Sequence, residues 1–100
     1  MKYDAAMDKA RNDNVRVARR AWHSRSTPMD KRLWVGFMPG TECDPWVINR
    51  ATFRLMPAGR PIRCAPYFVQ ADDSGHWCVG WRPAPSDLRA SDWFVFKMPR

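Results

Sequence analysis

Trp81, Ser86, Asp87 and Trp93 crowd into the last quarter of the chain, and Trp22 adds a further indole near its start. Indole faces stack planar bases, while a hydroxyl and a carboxylate satisfy ribose hydroxyls and base edges. Arginine supplies most of the formal charge of +7, and its planar fork pairs bidentately with phosphate. Together these residue types suit the binding of a base-bearing anion. Reaction chemistry has no comparable set. His23 has no Ser or Cys partner in sight, and neither a glycine-rich phosphate loop nor an H-E-x-x-H pattern occurs. Asp72 and Asp73 adjoin Ser74 and Gly75, which makes them turn formers rather than metal ligands. The expectation is a binding protein with no catalytic residues, no metal and no cofactor.

The elements that must hold these residues follow from the hydropathy pattern. Tyr3, Ala6, Met7 and Ala10 recur on one helical face, and Asn12, Asp13 and Asn14 close it, since Asn tolerates the left-handed conformation. Residues 15–19 alternate apolar and basic, giving a strand with Arg16 on the face away from the helix. Residues 23–32 form a polar loop broken by Pro28, and residues 33–38 a second strand closed by Pro39 and Gly40. Residues 41–61 are the least regular part, with Phe53 and Leu55 as core anchors. Residues 62–71 read as a strand interrupted at Pro66, and 72–75 and 76–81 as a hairpin turn and its return strand.

Pro83 and Pro85 then forbid both ladder and helix, so the chain bends. Ser86 is placed to cap a short helix, Asp87 to meet its positive end, and Asp92 to mark the exit. Trp93, Phe94, Val95 and Phe96 are apolar on both faces, which predicts a buried last strand near the sheet centre. The fold class is α+β: an N-terminal helix on an antiparallel sheet of about four to six strands, with a short helical turn before the last strand. Residues 1–100 make one domain, since this length supports a single modest core.

Trp81, Asp87, Leu88, Ala90, Asp92 and Trp93 also stand at the spacing of a W-x5-D-l-x-A-x-D-W signature. The chain thereby resembles the small phage proteins of the second Thoeris anti-defence family. Shorter segments agree in order: residues 17–22 resemble V-a-R-x-g-W, 33–38 match a strand ending in Pro-Gly, 47–50 resemble v-N-R, and 65–70 resemble r-P-h-i-x-m. The resemblance implies a tetrameric sponge that sequesters cyclic ADP-ribose-type immune signals without cleaving them, ligands lying at subunit contacts. Some members also take up cyclic dinucleotides.

By the same resemblance Trp22, Asn49, Arg50, Trp81, Ser86, Asp87 and Trp93 are the ligand-binding candidates. Read without it, Trp22 plugs the core, Asn49 closes a turn and Arg50 is a solvated charge. Ala84 and Pro85 stand where the family commonly has Ser-Gln, which leaves the signal isomer open.

Charge and cysteine bound the alternatives. The basic residues are scattered, with no polybasic tail, so the rival reading is a small single-stranded nucleic-acid binder using arginines interleaved with tryptophans. Cys43, Cys64 and Cys78 are odd in number and widely spaced, which fits neither a disulfide framework nor a zinc knuckle. No apolar run approaches a membrane span or a signal peptide. The expected compartment is the cytoplasm of the infected bacterial host.

Overall fold

A computed structural model describes residues 1–43 and 62–98. Helix α1 (Tyr3–Asp13) lies on a sheet of five strands in the order β6-β5-β2-β1-β7. These are β1 (Val17–Arg19), β2 (Trp34–Met38), β5 (Tyr67–Ala71), β6 (Trp77–Val79) and β7 (Trp93–Val95), every neighbouring pair antiparallel. The short helix α2 (Pro85–Arg89) precedes β7, completing the expected α+β architecture. Two further strands, β3 (Thr41–Cys43) and β4 (Ile62–Cys64), pair with each other and, among the described residues, with no other strand. No helix among the described residues is long and apolar enough to cross a membrane.

Helix α1 approaches the sheet closely because two of its three buried residues are alanines: Ala6, Met7 and Ala10 face Val17, Val35 and Trp93. Asn14 ends it at φ 52°, ψ 45°, the left-handed conformation expected of an Asn stop. The register places Val17 opposite Val35 and Val95, so these three share the helix side of the sheet.

The opposite face carries Ala18, Trp34, Val69, Ala71 and Phe96 as a second cluster. Gly36 lets the Trp34 ring lie close to the strand: a Cβ there would stand 3.1 Å from the ring and push it by a few tenths of an ångström. Arg16 lies on this face, as the alternation requires, but it is buried rather than open to solvent or ligand. Its guanidinium sits over the Trp34 and Phe96 rings at 4.9 and 4.6 Å and donates to Asp73 Oδ1 at 2.7 Å and to the Phe96 and Lys97 carbonyls. Trp34 Nε1 donates to the same Asp73 oxygen at 3.1 Å, so a buried charge is paired and its stem is packed.

Two expectations about strands are corrected. Pro66 does more than interrupt a strand: β4 and β5 belong to different sheets, and β3 forms within the part of the sequence with the least regular pattern. More consequentially, β7 is an edge strand and not a central one. Its apolar residues are covered without a second neighbouring strand. Trp93 lies in the helix-side core, Phe96 lies under Arg16, and the Met1 main chain caps the outer edge at Trp93, whose N–H donates to Met1 O at 3.1 Å and whose carbonyl accepts from Met1 N at 2.7 Å.

Candidate functional site

The candidate residues converge where β1 ends, β6 turns and α2 begins. β1 runs into a single 3-10 turn (Arg20–Trp22), which lays Trp22 partly exposed over the sheet end. Trp22 meets Trp93 edge-on at 5.1 Å and Trp81 at 6.2 Å, and Trp81 meets Trp93 at 6.2 Å. Edge-to-face contacts of this kind add about 0.5–1.5 kcal/mol per pair beyond area burial. Trp22 and Trp81 each keep part of their surface in solvent, whereas Trp93 is 1% exposed.

Gly80 is what brings Trp81 into the group. By alternation along β6, Trp77, Val79 and then Trp81 would share the face opposite α1. Gly80 instead takes φ 74°, and Trp81 N–H, rather than Gly80 N–H, reaches Phe68 O at 2.9 Å. Two residues thus oppose one, a bulge that turns Trp81 onto the helix side beside Trp22 and Trp93.

Below the tryptophans, Arg19 ties the start of the chain to its end. Its Nη1 donates to Asp87 Oδ1 at 2.8 Å and its Nε to Asp92 Oδ1 at 2.9 Å. The second oxygens are also used: Asp87 Oδ2 accepts from Ala84 N–H at 2.9 Å and Asp92 Oδ2 from Ala21 N–H at 3.0 Å. Burial alone would raise the Asp92 carboxyl, but the Arg19 and Ala21 hydrogen bonds outweigh it and hold the group below its ordinary 3.8. The hydrogen bonds that Arg19 donates to Asp92 and Asp87 in turn raise its pKa. Trp93 Nε1 donates to the Asp87 carbonyl at 3.1 Å, which locks the last strand to α2.

These bonds place the sequence candidates individually. Asp87 and Trp93 are buried, and their polar groups are committed within the chain. Ser86 is exposed, and it does not cap α2. The chain enters the helix at Ala84 with Pro85 in the first turn, a position suited to the fixed φ of proline, and Asp87 caps from inside. Asn49 and Arg50, like Phe53 and Leu55, lie outside the described residues. Asp72 serves its turn, accepting from Ser74 Oγ at 2.6 Å, Ser74 N–H at 2.9 Å and His76 N–H at 3.2 Å.

Arg20, Arg82 and Arg89 were not singled out by the sequence. All three are exposed, on the elements that carry Trp22, Trp81 and Ser86, and none of the ion pairs among the described residues involves them. Adjacency to the tryptophan and serine candidates was the available signal. Arg20 lies over the Phe94 ring at 4.8 Å. Among the described residues, apolar cavities of about 200 and 320 Å³ both border Phe96 and Lys97, and neither touches Trp22 or Trp81. Among the described residues, the tryptophan group thus presents the partly exposed rings of Trp22 and Trp81, with Arg20, Arg82 and Arg89 exposed on the elements beside them.

The sequence model of the Thoeris anti-defense 2-like (Tad2-like) domain matches residues 1–96. No curated protein matches the chain.

Proposed function

The chain belongs to the Thoeris anti-defense 2-like family, and from that premise we propose that it counters Thoeris immunity by binding the cyclic ADP-ribose-type signal and holding it intact. One observation carries the reading: Trp22 and Trp81 are braced edge-on and partly exposed, with Arg20, Arg82 and Arg89 exposed on adjoining elements. Indole faces take the base and guanidinium groups take the pyrophosphate. Ser86 adds an exposed hydroxyl for ribose, and Asn49 with Arg50 carry the ribose and phosphate roles that the resemblance assigns. Asp87 and Trp93 contribute by positioning, through Arg19 and the α2 backbone.

A domain of 100 residues has difficulty enclosing a nucleotide-sized signal within one chain, so the site is shared between subunits of a homo-oligomer, a tetramer by family likeness. Binding takes place in the bacterial cytoplasm, where the signal is made. Cyclic dinucleotides present the same bases and phosphates and are a second ligand class for the same chemistry.

The test is to incubate the protein with a panel of purified signals, remove free nucleotide, denature by heat and identify what is released by mass spectrometry. Recovery of an unmodified signal supports the proposal, and a cleaved product makes the protein an enzyme. Uptake of single-stranded DNA alone, weakening steeply with salt, indicates the nucleic-acid reading.

A further inference from the structure

The two edges of the five-stranded sheet are treated differently. At β7 the Met1 main chain occupies the outward N–H and C=O of Trp93. At β6 no strand among the described residues does so. Residues 76–80 read His-Trp-Cys-Val-Gly, without the Lys, Glu or Pro that sheet edges use against pairing. Trp77 is 50% and Val79 66% exposed, both on the face opposite α1, and Trp77 is held upright by an edge contact to Trp34 at 5.7 Å.

The phase of the ladder says which groups are free. Asp72 N–H donates to His76 O at 3.1 Å, and pairing continues through Gln70 with Cys78 and Val69 with Val79. Antiparallel bonding alternates, so His76 and Cys78 direct their backbone groups toward β5, while Trp77 and Val79 direct theirs outward. A strand with this spacing is complementary to itself. With a twofold axis through Cys78, Trp77 of one copy and Val79 of the other exchange N–H···O bonds, twice over.

We propose that β6 is the seam at which two copies of this chain join, pairing antiparallel about Cys78 to make one continuous ten-stranded sheet. Each Trp77 then covers the other copy's Val79. A chain of charge +7 meets its own copy most readily along an uncharged strand. The Gly80 bulge that carries Trp81 into the tryptophan group also ends the seam, so joining copies sets the two candidate sites at fixed separation. The proposal rests on the shared-site assembly above and specifies one of its contacts.

Cys78 gives the test, because a non-hydrogen-bonded antiparallel pair holds its Cα atoms about 4.5 Å apart, within disulfide reach. A full-length chain carrying Cys43→Ser and Cys64→Ser is treated with diamide, which takes the two electrons and two protons released as the S–S bond forms. Expected is a dimer band forming at least tenfold faster than for Leu88→Cys in an otherwise cysteine-free chain. In parallel, Val79→Lys should at least halve the mass measured by light scattering while leaving circular dichroism and melting unchanged. Cross-linking no faster than the control, together with unchanged mass in Val79→Lys, overturns the seam and leaves signal binding standing. A wild-type chain that is monomeric overturns the seam as well, and signal uptake by that monomer, measured on the same sample, decides separately whether the binding proposal survives.

Discussion

Arg19 and Asp87, separated by 68 positions in sequence, meet at 2.8 Å, and this pair explains why the tryptophan group has a fixed shape. Asp87 is buried, caps α2 through Ala84 and hands its carbonyl to Trp93, while the same guanidinium holds Asp92. Replacing Arg19 with Met keeps the stem but leaves two partly or wholly buried carboxylates facing each other. Stripping one partner from such a set costs about 3–5 kcal/mol, a large share of the stability of a domain this small. Urea unfolding of Arg19→Met should show that loss, and Arg19→Lys should recover only part of it, because an ammonium lacks the fork that spans both acids. An unchanged midpoint in Arg19→Met would remove the network from the account of the fold.

The Asp92 carboxyl makes part of this stability depend on acid. Its folded pKa lies below the ordinary 3.8, so the unfolded chain takes up the proton first as pH falls. The stabilisation is fully present above about pH 5 and drains away as pH drops through 3.8 toward the folded value. Asp92→Asn should be less stable at neutral pH, and the difference from wild type should narrow between about pH 5 and pH 2. Thermal melts at each pH measure this, and a gap that stays constant would show that Asp92 does not carry the effect.

Much of the scaffold was legible because local pattern and tertiary use agree. The i, i+3, i+4 face of Tyr3, Ala6, Met7 and Ala10 and the Asn stop are local features, and α1 follows them. The hairpin at residues 72–75 is equally local, since Asp72 closes it with its own carboxylate. The place of β7 was not legible. An apolar run on both faces says that both faces are covered, not what covers the edge, and here the cover is the Met1 main chain, which is remote in sequence. The Asp87 and Asp92 roles were hidden for a related reason: a carboxylate in a signature looks the same whether it faces a ligand or Arg19. Their spacing marked importance, and the bonds from Arg19 show that both carboxylates have partners within the chain.

Gly80 sits at φ 74°, where a side chain costs roughly 1–2 kcal/mol. Gly80→Val should therefore lower the melting temperature and, more tellingly, let the bulge relax so that Trp81 leaves Trp22 and Trp93. Near-ultraviolet circular dichroism reports coupled indoles directly. A Gly80→Val protein with the wild-type aromatic signal would show that the bulge does not set the position of Trp81.

Phe96 is the hinge between the second core cluster and Arg16. It is 9% exposed and forms part of the shelf on which the guanidinium rests at 4.6 Å. Phe96→Ala should cost about 3–5 kcal/mol as a core truncation. Phe96→Leu should cost much less, since an aliphatic side chain still fills the space although the cation–π contact is gone. Equal losses in the two variants would mean that the ring's contact with Arg16, rather than its volume, sustains the cluster.

Trp81 separates binding from folding most cleanly, because it keeps part of its surface in solvent and lies at the rim of the core, whereas Trp93 is its centre. Trp81→Ala should leave α1 and the sheet intact, with a modest fall in melting temperature from two lost edge contacts, to Trp22 and Trp93. If the indole stacks the base of a captured signal, its removal forfeits roughly 1–3 kcal/mol of binding. That is about a ten- to hundredfold weaker Kd, readable by calorimetry against cyclic ADP-ribose isomers and cyclic dinucleotides. Arg82→Ala on the neighbouring residue should weaken the same ligands and reduce the salt sensitivity of binding, since it removes a phosphate contact and no stacking face. Folded Trp81→Ala protein that binds every ligand at wild-type strength would exclude Trp81 from the site and move the search to Trp22 and Ser86.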